Sequence, residues 1–216
     1  MGCMRFPLKD GAVDRAAAIS LLRRAIDGGV TYVDTAYAYH DGESERIVGE
    51  ALEGGYRERV LLATKLPMWL LKTPEDMERI FNEQLQKLRT DHVDVYLLHA
   101  LDKERFEKAL KLGALDFMRR LRAEGRARRV GFSFHDEADV FRRILDSCDW
   151  DGCQVQMNLL DERHQATMDG VCLAGKRGVG VIIMEPLRGG ALTKTAPAAV
   201  DALYHACVPR RGRADW

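Results

Sequence analysis

The sequence predicts an α/β fold built on parallel strands, and two observations carry that prediction. Short aliphatic or β-branched runs recur along the 216 residues: "VTYVDT", "VLLATK", "VDVYLLH", "RVGFSF", "CQVQMN" and "VGVIIMEP", beginning near residues 30, 60, 93, 129, 153 and 179. Most lack apolar–polar alternation, as strands covered on both faces do. Amphipathic helical patterns fill the gaps, and strands alternating with helices imply a parallel sheet.

In chain order, a first helix is expected after Asp14, an N-cap, with Ile19, Leu22, Ala25 and Ile26 on one face and Gly28-Gly29 as the stop. A strand ending in Asp34 follows, then a helix over about 43–53. After "VLLATK", Thr73-Pro74 reads as a cap followed by the first helical residue. Met77, Ile80, Phe81, Leu85 and Leu88 then keep helical spacing. Further helices are expected over 114–124, 137–147 and 162–176.

Composition narrows the function classes. The chain is 46% hydrophobic and 31% charged, and its 33 Lys and Arg balance 33 Asp and Glu. No net field draws it to nucleic acid or to an anionic membrane. The five cysteines, Cys3, Cys148, Cys153, Cys172 and Cys207, are odd in number and contain no CxxC pair, against a disulfide framework or a zinc ribbon. "MGCMRFPLKDG" has no apolar h-region, and it lacks the Ser or Thr at position six that myristoylation requires. No apolar run approaches the roughly 18 residues of a membrane span. A soluble, cytoplasmic protein with no membrane or nucleic-acid partner is expected.

Two architectures fit the rhythm, an open doubly wound sheet and a (β/α)8 barrel. The first should show a GxGxxG turn after an early strand, and none is present. Instead Asp34, Lys65, His99, Ser133, Asn158 and Glu185 stand at or just past the ends of successive strands. Barrel enzymes assemble their sites from the carboxyl ends of many strands. A polar residue there is otherwise a turn former or a helix cap, but Lys and His are poor caps.

"VDTAYAYHDGESE" places an acid and a phenol on one such connection. A free tyrosine, with a pKa of about 10, is a weak acid at neutral pH. A nearby ammonium from Lys65 favours its phenolate. Asp34 would hold Lys65 by a salt bridge, and His99 would orient a substrate oxygen or share the proton. Such a group suits proton donation to a carbonyl oxygen while hydride reaches its carbon.

Together "DTAYAY", "LLATK", "VDVYLLH", "GFSFH", "CQVQMN" and "MEPLRGG" resemble the strand-end motifs of the aldo-keto reductases over nearly the whole chain. The resemblance implies a TIM barrel and NADPH-dependent reduction of a small aldehyde or ketone. It makes Asp34, Tyr39, Lys65 and His99 the catalytic tetrad, with Tyr39 as general acid. It assigns Ser133 and Gln154 to the nicotinamide carboxamide and Met184 to the face of the nicotinamide ring. Glu185, Pro186, Leu187 and Gly189 match the loop along the pyrophosphate.

The chain also departs from the family's pattern. Phe134 stands where many members have Asn, and Met184 replaces a frequent Tyr, as in the branch whose longer members end in a cysteine-rich iron–sulfur tail. No such tail is present, so neither a cluster nor another metal is expected. One barrel domain, 1–216, truncated at both ends, is expected: strands two to seven, a stub of the first at "GCMR", and no eighth. Arg210, Arg211 and Arg213 read as a solvated basic turn. Unpaired edges would then favour self-association.

Two other classes remain open at this level. One is a non-enzymatic barrel that binds a nucleotide or a protein partner. The other is a metal-assisted hydrolase or isomerase using His99, His135, Asp136 and Glu185, which a central lysine disfavours.

Overall fold

Residues 1–194 and 197–207 are described in a computed structural model of the chain. Arg210, Arg211 and Arg213 lie outside the described residues.

A short hairpin, β1 (Leu8–Lys9) with β2 (Ala12–Val13), opens the fold. It turns at Asp10-Gly11, with φ of 52° and 81°, a conformation that Asp-Gly pairs supply. The strand rhythm does not reveal this hairpin, although the dipeptide is a local signal for it. Asp14 then caps α1 (Arg15–Asp27), accepting from the Ala17 N–H at 3.0 Å, and Ala18, Leu22 and Ile26 are buried beneath it.

Six strands form one sheet: β3 (Tyr32–Asp34), β4 (Leu61–Leu66), β5 (Val93–Leu101), β6 (Ala127–Phe134), β7 (Gly152–Gln156) and β8 (Gly180–Met184). Each runs parallel to the next. Beside β3, Gly2 makes a parallel bridge to Asp34, with Cys3 N–H donating to the Asp34 carbonyl at 2.8 Å. Among the described residues β8 has a strand partner on one side only.

The sheet is curled. A flat sheet would set β3 and β7 four spacings apart, roughly 19 Å. Yet Gln154 on β7 hydrogen-bonds Asp34 on β3 at 3.2 Å. Inside the curl lie Ala63, Val95 and Leu97 with Tyr32 against them, while a much larger apolar cluster fills the space between the outer face and the helices. Gly131 permits the curl, since a Cβ there would lie 2.1 Å from the Gly152 carbonyl oxygen.

The helices are α2 (Glu43–Ala51), α3 (Glu75–Leu88), α4 (Lys103–Lys111), α5 (Ala114–Ala123), α6 (Ala138–Leu145), α7 (Thr167–Lys176) and α8 (Ala198–Cys207). Thr73 is not the cap of α3. The helix begins one residue later, and Asp76 accepts from the Lys72 and Thr73 N–H groups at 2.8 and 3.0 Å. α7 starts later than expected, after a turn with Gln165 at a φ of 54°, and its first residue, Thr167, is itself at a φ of 60°. α4 is an addition that its charge-rich sequence conceals, although Asp102 caps it. Among the described residues no helix is long and apolar enough to cross a membrane.

Candidate active site

Strand alternation decides which side chains meet. Side chains two apart on a strand share a face, so Ala63, Val95 and Leu97, which line the inner cluster, put Lys65 and His99 on the inward face above them. Asp34 follows Tyr32 in the same way, and Ser133 follows Gly131. All four expected tetrad residues, with Ser133, Gln154 and Met184, lie at one rim of the curl.

The centre is Lys65, 1% exposed. Its Nζ donates to Asp34 Oδ1 at 2.6 Å, to the Thr35 carbonyl at 2.8 Å and to the Tyr39 hydroxyl at 3.4 Å. Burial disfavours the ammonium, but Asp34 and Tyr39 outweigh it and hold its pKa above the ordinary lysine value.

Tyr39 sits on a 3-10 turn, Tyr39–Gly42, in which His40 and Asp41 have φ of 51° and 54°. The turn is pinned from two sides. Phe6 N–H donates to His40 Nε2 at 3.0 Å. Ser44 Oγ donates to the Cys3 carbonyl and pairs with Thr35 Oγ1, both at 2.9 Å. Burial raises the Tyr39 pKa, Lys65 lowers it, and Asp34 raises it again. The net shift is upward, because loss of water outweighs the lysine. Tyr39 therefore remains a protonated donor across the neutral range.

His99 is not at the end of its strand. The β5–β6 register steps from Leu98↔Phe132 to Leu101↔Phe134, so β5 carries one extra residue there. Bulges of this kind re-aim a side chain. Ala100, next to His99, has φ of 54°. Burial is the main cause, with Lys65, His135 and Arg105 adding to it, of a His99 pKa lowered to about 3. The imidazole is neutral, which favours the orienting role and not proton sharing. Its Nδ1 is buried with no partner among the described residues. Trp69, which the sequence reading does not select, lies with its ring centroid 5.0 Å from that of His99.

Asp34, Tyr39 and His99 line a cleft of about 530 Å³, with Lys65 buried behind Asp34 and Tyr39. Ser133, His135, Gln154, Met184, Glu185 and Pro186 line its far wall. Gly189, beyond them, has φ of 67°, and a Cβ there would stand 3.3 Å from the Arg5 guanidinium. Arg5 also lines the cleft and is another residue the sequence does not single out. Leu187 is exposed on the same loop.

Other expectations separate from the site. Phe134 is fully buried against Phe141 on the outer face. Asn158 Oδ1 accepts from the Leu160 and Asp161 N–H groups, making a turn. Asp136 accepts from the Lys103 and Glu137 N–H groups. Among the described residues no three His, Cys, Asp or Glu side chains converge as metal ligands.

A curled parallel α/β sheet with Asp, Tyr, Lys and His at one rim defines a TIM-type barrel class. The chain belongs to the aldo/keto reductase family, whose model matches residues 1–202. It is 37% identical over 131 residues to the methylglyoxal reductase YeaE of Escherichia coli K12, covering 61% of this chain and 44% of that protein. Over 206 residues it is 29% identical to an NADH-specific methylglyoxal reductase of the same organism, covering 88% and 62%. The chain thus spans 44% and 62% of the length of these two relatives. An aldo/keto reductase from Klebsiella pneumoniae, solved with NADP and acetate, is 28% identical with a TM-score of 0.73, covering 95% of this chain and 71% of that one.

Proposed function

We propose that this site reduces a small aldehyde or ketone to its alcohol, with NADPH as the hydride source. The observation that carries the reading is the Asp34–Lys65–Tyr39 chain of hydrogen bonds, 2.6 and 3.4 Å, at the wall of a cleft. The names of the relatives make methylglyoxal the substrate to try first.

The residues present fit a nicotinamide nucleotide. The Ser133 hydroxyl and the Gln154 amide line the cleft and complement a primary carboxamide. Met184 offers an apolar side chain beside them. The loop Glu185, Pro186, Leu187 and Gly189, with the Arg5 guanidinium against it, would hold the pyrophosphate. When bound, the cofactor supplies the hydride. Tyr39 donates its proton to the carbonyl oxygen, and Lys65 stabilises the tyrosinate left behind. Asp34 keeps Lys65 charged in its dry surroundings. Neutral His99 orients the carbonyl oxygen, and Trp69 forms an apolar wall beside it.

On this reading β3–β8 are the second to seventh strands of the family's barrel and Met1–Cys3 is a stub of the first. A second copy would pair along the edge of β8 that has no strand partner among the described residues, which dynamic light scattering would read as a dimer or larger species.

The deciding experiment is Tyr39→Phe, with NADPH oxidation followed in the presence of methylglyoxal. Loss of a positioned general acid should reduce kcat by at least about 10²-fold. NADPH affinity should change by no more than about twofold, since the aromatic ring is retained. Turnover equal to that of the parent chain would refute the assignment.

A further inference from the structure

Gln154 makes a bond that holding a cofactor does not require. Its Nε2 donates to Asp34 Oδ2 at 3.2 Å, across the mouth of the curl between strands that are not neighbours. A carboxylate only accepts, so the amide end that faces Asp34 is the nitrogen. Oε1 then points away from Asp34, without a partner among the described residues, in a side chain that lines the cleft. The two oxygens of Asp34 are divided between two donors: Oδ1 takes Lys65 and Oδ2 takes Gln154. Ser133 repeats the pattern, since its Oγ accepts at 2.7 Å from the N–H of Ala100, the residue after His99.

We propose that Gln154 is a positioning residue for the tetrad: its Nε2 keeps Asp34 turned with a single oxygen on Lys65, while its Oε1 receives a primary carboxamide, so that docking of the carboxamide is coupled to the Asp34–Lys65–Tyr39 chain. This deepens the reductase reading and rests on it. Without the Gln154 donor, Asp34 is free to rotate and offer both oxygens to Lys65. The ammonium is then more fully neutralised and less of its field reaches Tyr39, which sits 3.4 Å away. Conversely, a donor on Oε1 polarises the amide and strengthens the Nε2–Oδ2 bond. The coupling is reciprocal, so a well-placed Asp34 also favours the carboxamide. The other titratable groups around Asp34 are Tyr32 and Cys3, whose pKa values burial pushes up, so both remain neutral and do not compete.

The test uses the full chain with Gln154→Met and Gln154→Glu. The first removes the donor, and the second keeps the shape but sets an oxygen against Asp34. Two readouts are taken. The first is the pH dependence of kcat at saturating NADPH and methylglyoxal. Its alkaline limb should move up by about half a unit for Met and by about one unit for Glu, because Tyr39 loses field from Lys65. The second is the tyrosinate absorbance of the cofactor-free protein, with Tyr39 assigned by subtraction of Tyr39→Phe, which should shift in the same direction. Weaker NADPH binding with both titrations superimposed on the parent's would overturn the proposal and leave Gln154 as a carboxamide ligand alone. If the parent chain oxidises no NADPH, the reductase reading fails, while the tyrosinate titration still decides whether Gln154 positions the tetrad.

Discussion

His99 gives the sharpest test that does not depend on turnover. Its imidazole is 9% exposed and its pKa is lowered to about 3. In the unfolded chain the same group titrates near 6.5. The native state therefore binds fewer protons than the unfolded state between these values. Stability falls as pH drops through about 6.5, continues to fall toward pH 3, and levels off below that. The full gap corresponds to several kcal/mol, of which about 2–3 kcal/mol is lost by pH 4.5.

His99→Gln removes the titration while keeping a neutral, hydrogen-bonding side chain. Other groups add their own pH dependence, such as His135, whose pKa burial lowers, and Glu45, whose pKa burial raises. They are common to both proteins and cancel in the difference. Urea unfolding followed by circular dichroism at pH 7.5, 6, 5 and 4.5 measures it. With a slope of about 2–3 kcal/mol/M, the parent's midpoint should fall by about 1 M relative to the variant between pH 7.5 and 4.5. Parallel midpoints across that range would show that His99 is not held neutral by its surroundings, and the orienting role would lose its basis.

Three further outcomes are expected. Lys65→Met leaves Asp34 buried with only Gln154 as a side-chain donor. It should cost about 3–5 kcal/mol by urea unfolding and move the alkaline limb of kcat upward, since the charge that lowers the Tyr39 pKa is gone. Gln84→Leu removes the donor to the Lys65 carbonyl and to Glu45 Oε1, and the acceptor of the Tyr96 hydroxyl. It orphans several buried groups at about 1–3 kcal/mol each, so a midpoint loss of at least about 1 M in urea is expected. Gly49→Ala places a Cβ 2.4 Å from the Lys87 carbonyl, where α2 meets α3. The clash is with backbone, and about 1–3 kcal/mol of destabilisation should follow in the same assay.

The strands are legible in the sequence because they depend on a local rule, whereas the roles expected of Asp34, Tyr39, Lys65 and His99 rest on the resemblance of their motifs to a family. Doubly covered strands announce themselves as aliphatic runs, and alternation then puts Asp34, Lys65, His99 and Ser133 on the inward face without knowledge of the rest of the fold. What is hidden depends on register and curvature. The bulge at His99–Ala100 has no sequence mark beyond the run "VDVYLLHAL". Trp69 joins the site only because the 3-10 turn Met68–Leu70 folds back toward His99. The direction of the Tyr39 shift also eludes sequence reasoning, which sees the lysine but not the depth of burial that outweighs it.

The same distinction explains why the Lys65 ammonium can be buried at all. Removing it from water costs several kcal/mol. Two neighbours near in sequence offset that cost, Asp34 and the Thr35 carbonyl, at 2.6 and 2.8 Å. These are the terminal residue of β3 and the one after it, so strand pairing with β4 delivers both acceptors in one register: Asp34 lies opposite Ala63, two residues before Lys65. The carbonyl of Lys65 is held from the other side by Gln84, whose amide also reaches the buried carboxylate of Glu45. Lys65 is thus held at both its ammonium and its backbone by residues whose main chain is set by the β3–β4 ladder and the α2–α3 contact. Fixed in this way, the Lys65 ammonium keeps its 3.4 Å approach to the Tyr39 hydroxyl, and what remains adjustable is how Asp34 divides its two oxygens between Lys65 and Gln154.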